Sequence, residues 1–318
     1  MVAPMFVQRV LWVILVLAAV GGCSKNTGDA ESPESSMSPE EARQLLTEFG
    51  KKHGLAAPVE PDPTSIAQVL EILLSDQTSR FAGALRFLEG KQGGDILTLR
   101  AMLELSWSDG FTTVSDVLAE LNRRSGLEID RLTAREAEGT LTDSEAATLE
   151  TLQARIDEAD QARFASEVLA EDHLTASASL ASEAVKQGAA GATEPLTALA
   201  FYMLLAGKWL EFDDVMNSLR PAAPDSAMVH YLNALENLQR FTLRDQARAE
   251  LNEALAVQPN FVRAQAKLVL LQDDIASTYA EFTKLKTQSP GHPVLALVGQ
   301  LVVEEYEASV AMQKARGR

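Results

Sequence analysis

Two amphipathic helical patterns, separated by a short polar turn, fill residues 228–261. Within each pattern, apolar or small side chains recur at spacings of three and four residues. These positions are Tyr231, Ala234, Leu235, Leu238, Ala247, Leu251 and Ala254. Such spacings place each set on one side of a 3.6-residue helix, so each helix has a stripe to bury. The segment therefore predicts a helical pair that packs within a stack of similar pairs.

Composition supports helices along the rest of the chain. Aromatic residues make up 6% of the 318 residues, and Ala, Leu and Glu dominate, with few runs of Val, Ile or Thr. This balance favours helix over strand. An apolar fraction of 46% is normal for a globular protein.

The first 22 residues have the pattern of an export signal. Arg9 precedes an unbroken apolar run over residues 10–20. A helix of this length rises about 16 Å, roughly half of the hydrocarbon core of a bilayer, which favours a signal peptide over a membrane span. We therefore expect residues 1–22 to be a signal segment.

The segment Val20-Gly21-Gly22-Cys23 resembles the lipobox of bacterial lipoproteins. The resemblance implies that Cys23 is lipidated, for example with palmitate, and becomes the mature N-terminus. In that family, a residue such as Ser24 after the cysteine implies transfer to the outer membrane, facing the periplasm. The alternative is an ordinary secretory signal with an unrelated cysteine. If Cys23 carries lipid, the single cysteine of the chain cannot form a disulfide.

Residues 23–37 are predicted to be the lipidated cysteine and a flexible tether, because they are polar and lack apolar periodicity. The folded region is expected to start at Ser38. A hydroxyl at Ser38, Pro39 at the first helical position and Glu41 at the third form a capping-box pattern.

The net charge of −17 makes nucleic acid an unfavourable partner, because phosphates would be repelled. Residues 128–172 carry thirteen acidic and four basic side chains, a net charge of −9. This segment is interpreted as a solvated helical face. The alternative is an electrostatic docking surface for a basic partner.

Residues 38–187 are predicted to form a helical N-terminal region that is acidic toward its end. An apolar stripe over residues 66–74 predicts a helix. Residues 95–107 fit a helix or a strand, in which case residues 80–107 would form a hairpin; we favour the helix, followed by a turn at 108–111. Beyond a capping box at Thr142, residues 142–186 fit two packed helices or one long helix with a break near 157–161.

The chain from residue 188 to 318 resembles tetratricopeptide (TPR) repeats. Copies are assigned to residues 193–226, 228–261 and 262–290, with a capping helix at 293–313. Pro224 and Pro259 are 35 residues apart, against the family period of 34. The third copy departs from the family pattern at Thr278, where a small residue is expected. The predicted fold class is all-α, an α-solenoid of TPR-like helical hairpins preceded by a helical N-terminal region.

The resemblance also implies a protein-binding groove lined by the first helix of each repeat. The corresponding residues are Phe201, Leu205, Leu232, Glu236, Gln239, Arg240, Arg263, Leu270, Asp273 and Asp274. The Lys and Asn that clamp a terminal carboxylate in chaperone-binding members are missing at these positions. The alternative is that this face packs against the rest of the same chain.

No catalytic or metal site is expected from the sequence, and no cofactor. The four histidines, His53, His173, His230 and His292, are far apart, and none has a second ligand at metal-binding spacing. The favoured hypothesis is an outer-membrane lipoprotein scaffold that binds other envelope proteins, for example in assembly of an envelope, pilus or secretion complex. The alternative is a periplasmic or cell-wall-modifying enzyme with its site in residues 38–187. The sequence leaves the oligomeric state open.

Overall fold

A computed structural model describes residues 37–52, 61–75, 77, 80–188, 193–272 and 274–288, with a few positions between 302 and 314. The regular secondary structure in these ranges is helical, and they contain no strand. The predictions for the signal segment, Cys23 and most of the tether lie outside the described residues, as does most of the proposed capping helix at 293–313.

Eleven named helices lie within these ranges. They are α1 (Pro39–Lys52), α2 (Ile66–Leu74), α3 (Phe81–Leu88), α4 (Gly94–Ala137), α5 (Asp143–Lys186), α6 (Thr193–Leu205), α7 (Trp209–Ala222), α8 (Ala227–Gln239), α9 (Arg244–Val257), α10 (Val262–Leu270) and α11 (Ile275–Gln288).

The antiparallel hairpin of α4 and α5 is the element on which the others pack. Each helix has 44 residues, a length of about 66 Å. Branched side chains of α4 such as Val117 and Leu118 pack against small side chains of α5 such as Ala162 and Ala165, which allow the two backbones to approach closely. Helix α1 covers the same cluster with Ala42, and α2 and α3 pack against the first half of α4.

The predicted helix over residues 95–107 is confirmed, and the alternative hairpin at 80–107 is wrong. The predicted turn at 108–111 is also wrong, because α4 runs through it without interruption. Ser108, Asp109 and Gly110 are buried there, and the Ser108 hydroxyl donates a hydrogen bond to the carbonyl of Ala170 at 2.7 Å. Contacts with α5 and with the later helices satisfy polar groups that would otherwise favour a turn.

Helix α5 is likewise continuous, so neither the two-helix reading nor the break near residues 157–161 is correct. Both capping boxes are confirmed. The Glu41 amide donates to the Ser38 hydroxyl at 3.3 Å, and the Ser38 amide donates to the Glu41 carboxylate at 2.8 Å. Thr142 and Glu145 repeat the arrangement at the start of α5. These reciprocal bonds satisfy amides at a helix start that have no partner within the helix.

After residue 192 the described chain forms three successive pairs, α6/α7, α8/α9 and α10/α11. Helix α6 packs against both α4 and α5, and α10 packs against α4. Ala234, Ala247 and Ala254 are fully buried, as expected for positions where helices approach closely. Thr278 is buried in α11, with its hydroxyl bonded to the carbonyl of Asp274.

Candidate functional site

A buried charged network joins the second and third pairs, through α8 and α10, to the middle of α4. The Asp109 carboxylate accepts hydrogen bonds from the Tyr231 hydroxyl at 3.0 Å and from the Arg263 guanidinium at 3.0 Å. The side chains of Asp109 and Arg263 are only 1% and 6% exposed. The Arg263 guanidinium also lies 4.9 Å from the ring centre of Phe261, which itself packs against Tyr231. Three helices are therefore held together by one desolvated carboxylate.

A second buried cation extends this network. Lys267, one helical turn beyond Arg263, pairs with the partly exposed Asp116 of α4. Burial favours the neutral amine, but the carboxylates of Asp116 and Asp109 raise the pKa of Lys267 above its ordinary value. Burial, assisted by the negative charge of Asp109, raises the pKa of Tyr231 well above its ordinary value. Both groups are thus held in their protonated forms at neutral pH.

The residues predicted to line a groove fall into three sets. The buried set is Phe201, Leu232, Glu236 and Arg263. The half-buried set is Leu205, Arg240 and Leu270, the exposed set is Gln239 and Asp274, and Asp273 lies outside the described residues. Phe201 and Leu232 share one core cluster with residues of α4 and α5. Much of the predicted binding face is therefore used within the chain itself, while Gln239 and Arg240 remain accessible at its edge.

Arg240 is the centre of an ordered surface cluster. Its guanidinium donates to Asp213 at 2.8 Å and to Glu236 at 3.0 Å, and the hydrogen bonds to Asp213 raise its pKa. The same group lies 5.6 Å from the ring centre of Trp209 and 5.0 Å from that of Phe241. These contacts fix the Arg240 side chain between two aromatic rings from different helical pairs.

An aromatic and histidine cluster between α4 and α5 was not predicted from the sequence. His173 is stacked on Trp107 with ring centres 4.3 Å apart and on Phe111 at 5.7 Å. Its Nδ1 lies 2.6 Å from a Glu104 oxygen, while its buried Nε2 has no hydrogen-bond partner among the described residues. Glu104 and His173 are 69 positions apart. The contact between Glu104 and His173 could have been predicted only if α4 and α5 had been predicted to be antiparallel neighbours.

A cavity of about 310 Å³ opens between α4, α5 and the end of α6. Its lining residues are Ser108, Ala170, Glu171, Leu174, Thr175, Tyr202, Leu205 and Ala206. Leu205 is the one predicted groove residue among them. Half of the lining residues are aliphatic and half carry a polar group, and the volume is at the lower end of the range for small-molecule pockets.

Many charges in the acidic segment 128–172 are paired within α4 and α5. Arg131 donates to Glu128 within α4, and Arg135 of α4 pairs with Glu145 of α5. Arg163 donates to Glu167 along α5 at 2.9 Å. The remaining acidic side chains are on the surface of the hairpin.

No group of three or more potential metal ligands is present in the part of the chain that the structure describes. Over the same part, no helix combines the length and apolar character needed to cross a bilayer.

Comparisons with protein-family models, with curated proteins and with solved structures give no match. The geometry alone therefore defines the class, which is an all-helical protein with short helical pairs packed on a long helical hairpin.

Proposed function

We propose that the protein is a lipid-anchored scaffold of the bacterial outer membrane that faces the periplasm and binds other envelope proteins through TPR-like helical pairs. Three consecutive pairs support this proposal, because their small residues are fully buried where the helices meet. Packed helical pairs create extended surfaces for proteins more often than reaction sites. The resemblance of the segment before Cys23 to a lipobox supports the anchor.

Because Phe201, Leu232 and Arg263 are buried, they are not available to a partner, and the proposed contact surface lies at the edge of the helical pairs. Gln239 is exposed there, and Arg240 is held in place beside it by two carboxylates. A fixed arginine beside aromatic rings has the composition of protein-binding hot spots.

The anchor is tested by feeding an alkyne analogue of palmitate to bacteria that express the full chain. We expect the protein to be labelled and the Cys23→Ser variant to remain unlabelled. Equal labelling of the two forms would contradict the anchor.

The scaffold role is tested by placing a photo-crosslinking residue at position 239 in living cells. A discrete crosslinked product is expected there. The matched control is position 253, because Glu253 is exposed on α9 of the same pair. Identical crosslinking patterns at the two positions would argue against a specific contact surface at Gln239.

A further inference from the structure

Large apolar side chains are exposed on two neighbouring turns, the first helical turn of α7 and the connection between α8 and α9. Leu210 is 79% exposed, Phe241 45% and Leu243 41%. Arg240 joins the two turns, because it contacts the rings of both Trp209 and Phe241. We define the turn edge as Trp209, Leu210, Arg240, Phe241 and Leu243. Large apolar side chains that are exposed near one another are typical of a surface that contacts a protein or a membrane.

The turn edge is held in a fixed conformation. Arg240 is bonded to Asp213 and Glu236, and the Leu243 amide donates to the carbonyl of Asn237 at 2.8 Å. Thr242, between the two exposed apolar residues of its turn, has a φ of 55°. This left-handed conformation is uncommon for a residue other than glycine and persists where surrounding contacts impose it. The apolar side chains are thus displayed outward by an ordered turn.

Charge around the turn edge is nearly balanced. Residues 188–318 carry twelve basic and fifteen acidic side chains, a net charge of −3, against −9 for residues 128–172. Around the edge, residues 208–213 and 236–245 carry three basic and four acidic side chains, a net charge of −1. An anionic lipid surface would therefore repel the turn edge only weakly, and less than it would repel the acidic segment 128–172.

The folded chain also begins close to the turn edge. Arg43, in the first turns of α1, bonds to Asp172 of α5 at 3.2 Å. The neighbouring Glu171 lines the same cavity as Ala206, which immediately precedes the α6–α7 turn. Fourteen tether residues between Cys23 and Ser38 reach at most about 50 Å. A lipid on Cys23 would therefore hold this side of the molecule within reach of the bilayer.

We propose that the turn edge is a membrane-docking surface, with Leu210, Phe241 and Leu243 entering the interfacial layer of the bilayer to which Cys23 is anchored. The inference rests on the lipid anchor of the proposed function. Trp209 suits the boundary between headgroups and acyl chains, where aromatic rings are favoured. Docking fixes the orientation of the protein relative to the membrane.

The test uses the chain from Cys23 onward, which contains every described helix. Its single cysteine is coupled to a maleimide lipid in vesicles of phosphatidylcholine with a minor fraction of phosphatidylglycerol, so that the tether is reproduced without cellular lipidation. Parallel vesicles contain phosphatidylcholine brominated on its acyl chains, which quenches tryptophan that enters the bilayer. Trp107 is the other tryptophan after Cys23. Its fluorescence is measured in the Trp209→Phe variant and subtracted, which leaves the emission of Trp209.

We expect Trp209 emission to shift to shorter wavelength on coupling and to lose intensity in brominated vesicles. Leu210→Asp should remove both effects without affecting the fold, because the side chain is largely in solvent. Leu127→Asp is the matched control, since Leu127 is 62% exposed on the distal half of α4, and it should leave both effects intact.

Equal Trp209 emission in brominated and unbrominated vesicles would overturn the proposal and would leave a protein partner as the occupant of the turn edge. Quenching of Trp209 that persists in Leu210→Asp would also overturn the proposal, because the protein would then contact the bilayer through residues other than Leu210. Since coupling replaces lipidation, these results are independent of the palmitate-labelling experiment, and the two proposals can fail separately.

Discussion

Replacing Arg263 with alanine should cost far more stability than replacing any surface arginine. The guanidinium lies 3.0 Å from the Asp109 carboxylate, and both side chains are almost completely buried. At this distance, and at an effective dielectric constant of about 20, the attraction is about 5–6 kcal/mol. Removing one partner of such a pair leaves a desolvated charge and costs about 3–5 kcal/mol.

The matched control is Arg86→Ala. Arg86 pairs with Asp62 at 2.7 Å, a comparable distance, but the two side chains are 61% and 50% exposed. Water screens this pair, so its loss should cost no more than about 1 kcal/mol. The free energy of unfolding is measured by urea titration with circular dichroism, and the slope is compared among variants to verify that the same transition is followed.

A double variant separates the charge from the packing. Asp109→Asn combined with Arg263→Met removes both charges while retaining much of the buried volume, and it should recover a large part of the stability lost in Arg263→Ala. The reasoning is refuted if Arg263→Ala and Arg86→Ala have the same free energy of unfolding. It is also refuted if the double variant is less stable than Arg263→Ala.

Three further predictions concern single side chains. Ala254→Trp should lower the melting temperature, because overfilling a fully buried site costs about 1–3 kcal/mol, whereas the exposed Ala256→Trp should leave the melting curve unchanged. Because the pKa of Tyr231 is raised in the folded protein, the unfolded chain loses the phenolic proton at a lower pH. The free energy of unfolding should therefore fall as pH rises above about 10. In urea titrations, the free energy of unfolding of Tyr231→Phe should decrease less over the same pH range. In urea titrations, His173→Ala should lower the free energy of unfolding by roughly 2–4 kcal/mol, because it removes the stacking on Trp107 and leaves the Glu104 carboxylate without its partner. His230 is partly exposed, so His230→Ala should lower it by about 1 kcal/mol or less.

Local sequence signals predicted the helices well where helical periodicity and capping residues agreed. The stripe over residues 66–74 and the capping boxes at Ser38 and Thr142 are examples, because each depends on side chains within a few positions of one another. The predicted turn at 108–111 was wrong because the contacts that decide the structure there join distant parts of the chain. Ser, Asp and Gly favour a turn locally, but here the helix continues because Asp109 finds partners in α8 and α10.

The candidate site was less predictable, because its contacts join distant parts of the chain. Arg263 was identified as a groove residue, but its partner Asp109 lies 154 positions earlier, and no local pattern connects them. The sequence interpretation left open whether the face of the pairs is free or packed against the same chain. Burial of Phe201 and Leu232 in a cluster shared with α4 and α5 could be known only from the arrangement of the helices.

The long hairpin is unevenly packed along its length, which has a consequence for its motions. Near its base, α4 and α5 are covered by α1, α2, α3 and the helical pairs, whereas the cluster near its tip consists of Leu132, Leu149 and Leu152 with few partners. Backbone hydrogen bonds near the tip can therefore open without disturbing the base, and amide hydrogens should exchange with solvent progressively more slowly from the tip toward the base. One continuous helix would thus contain segments that open on widely different timescales.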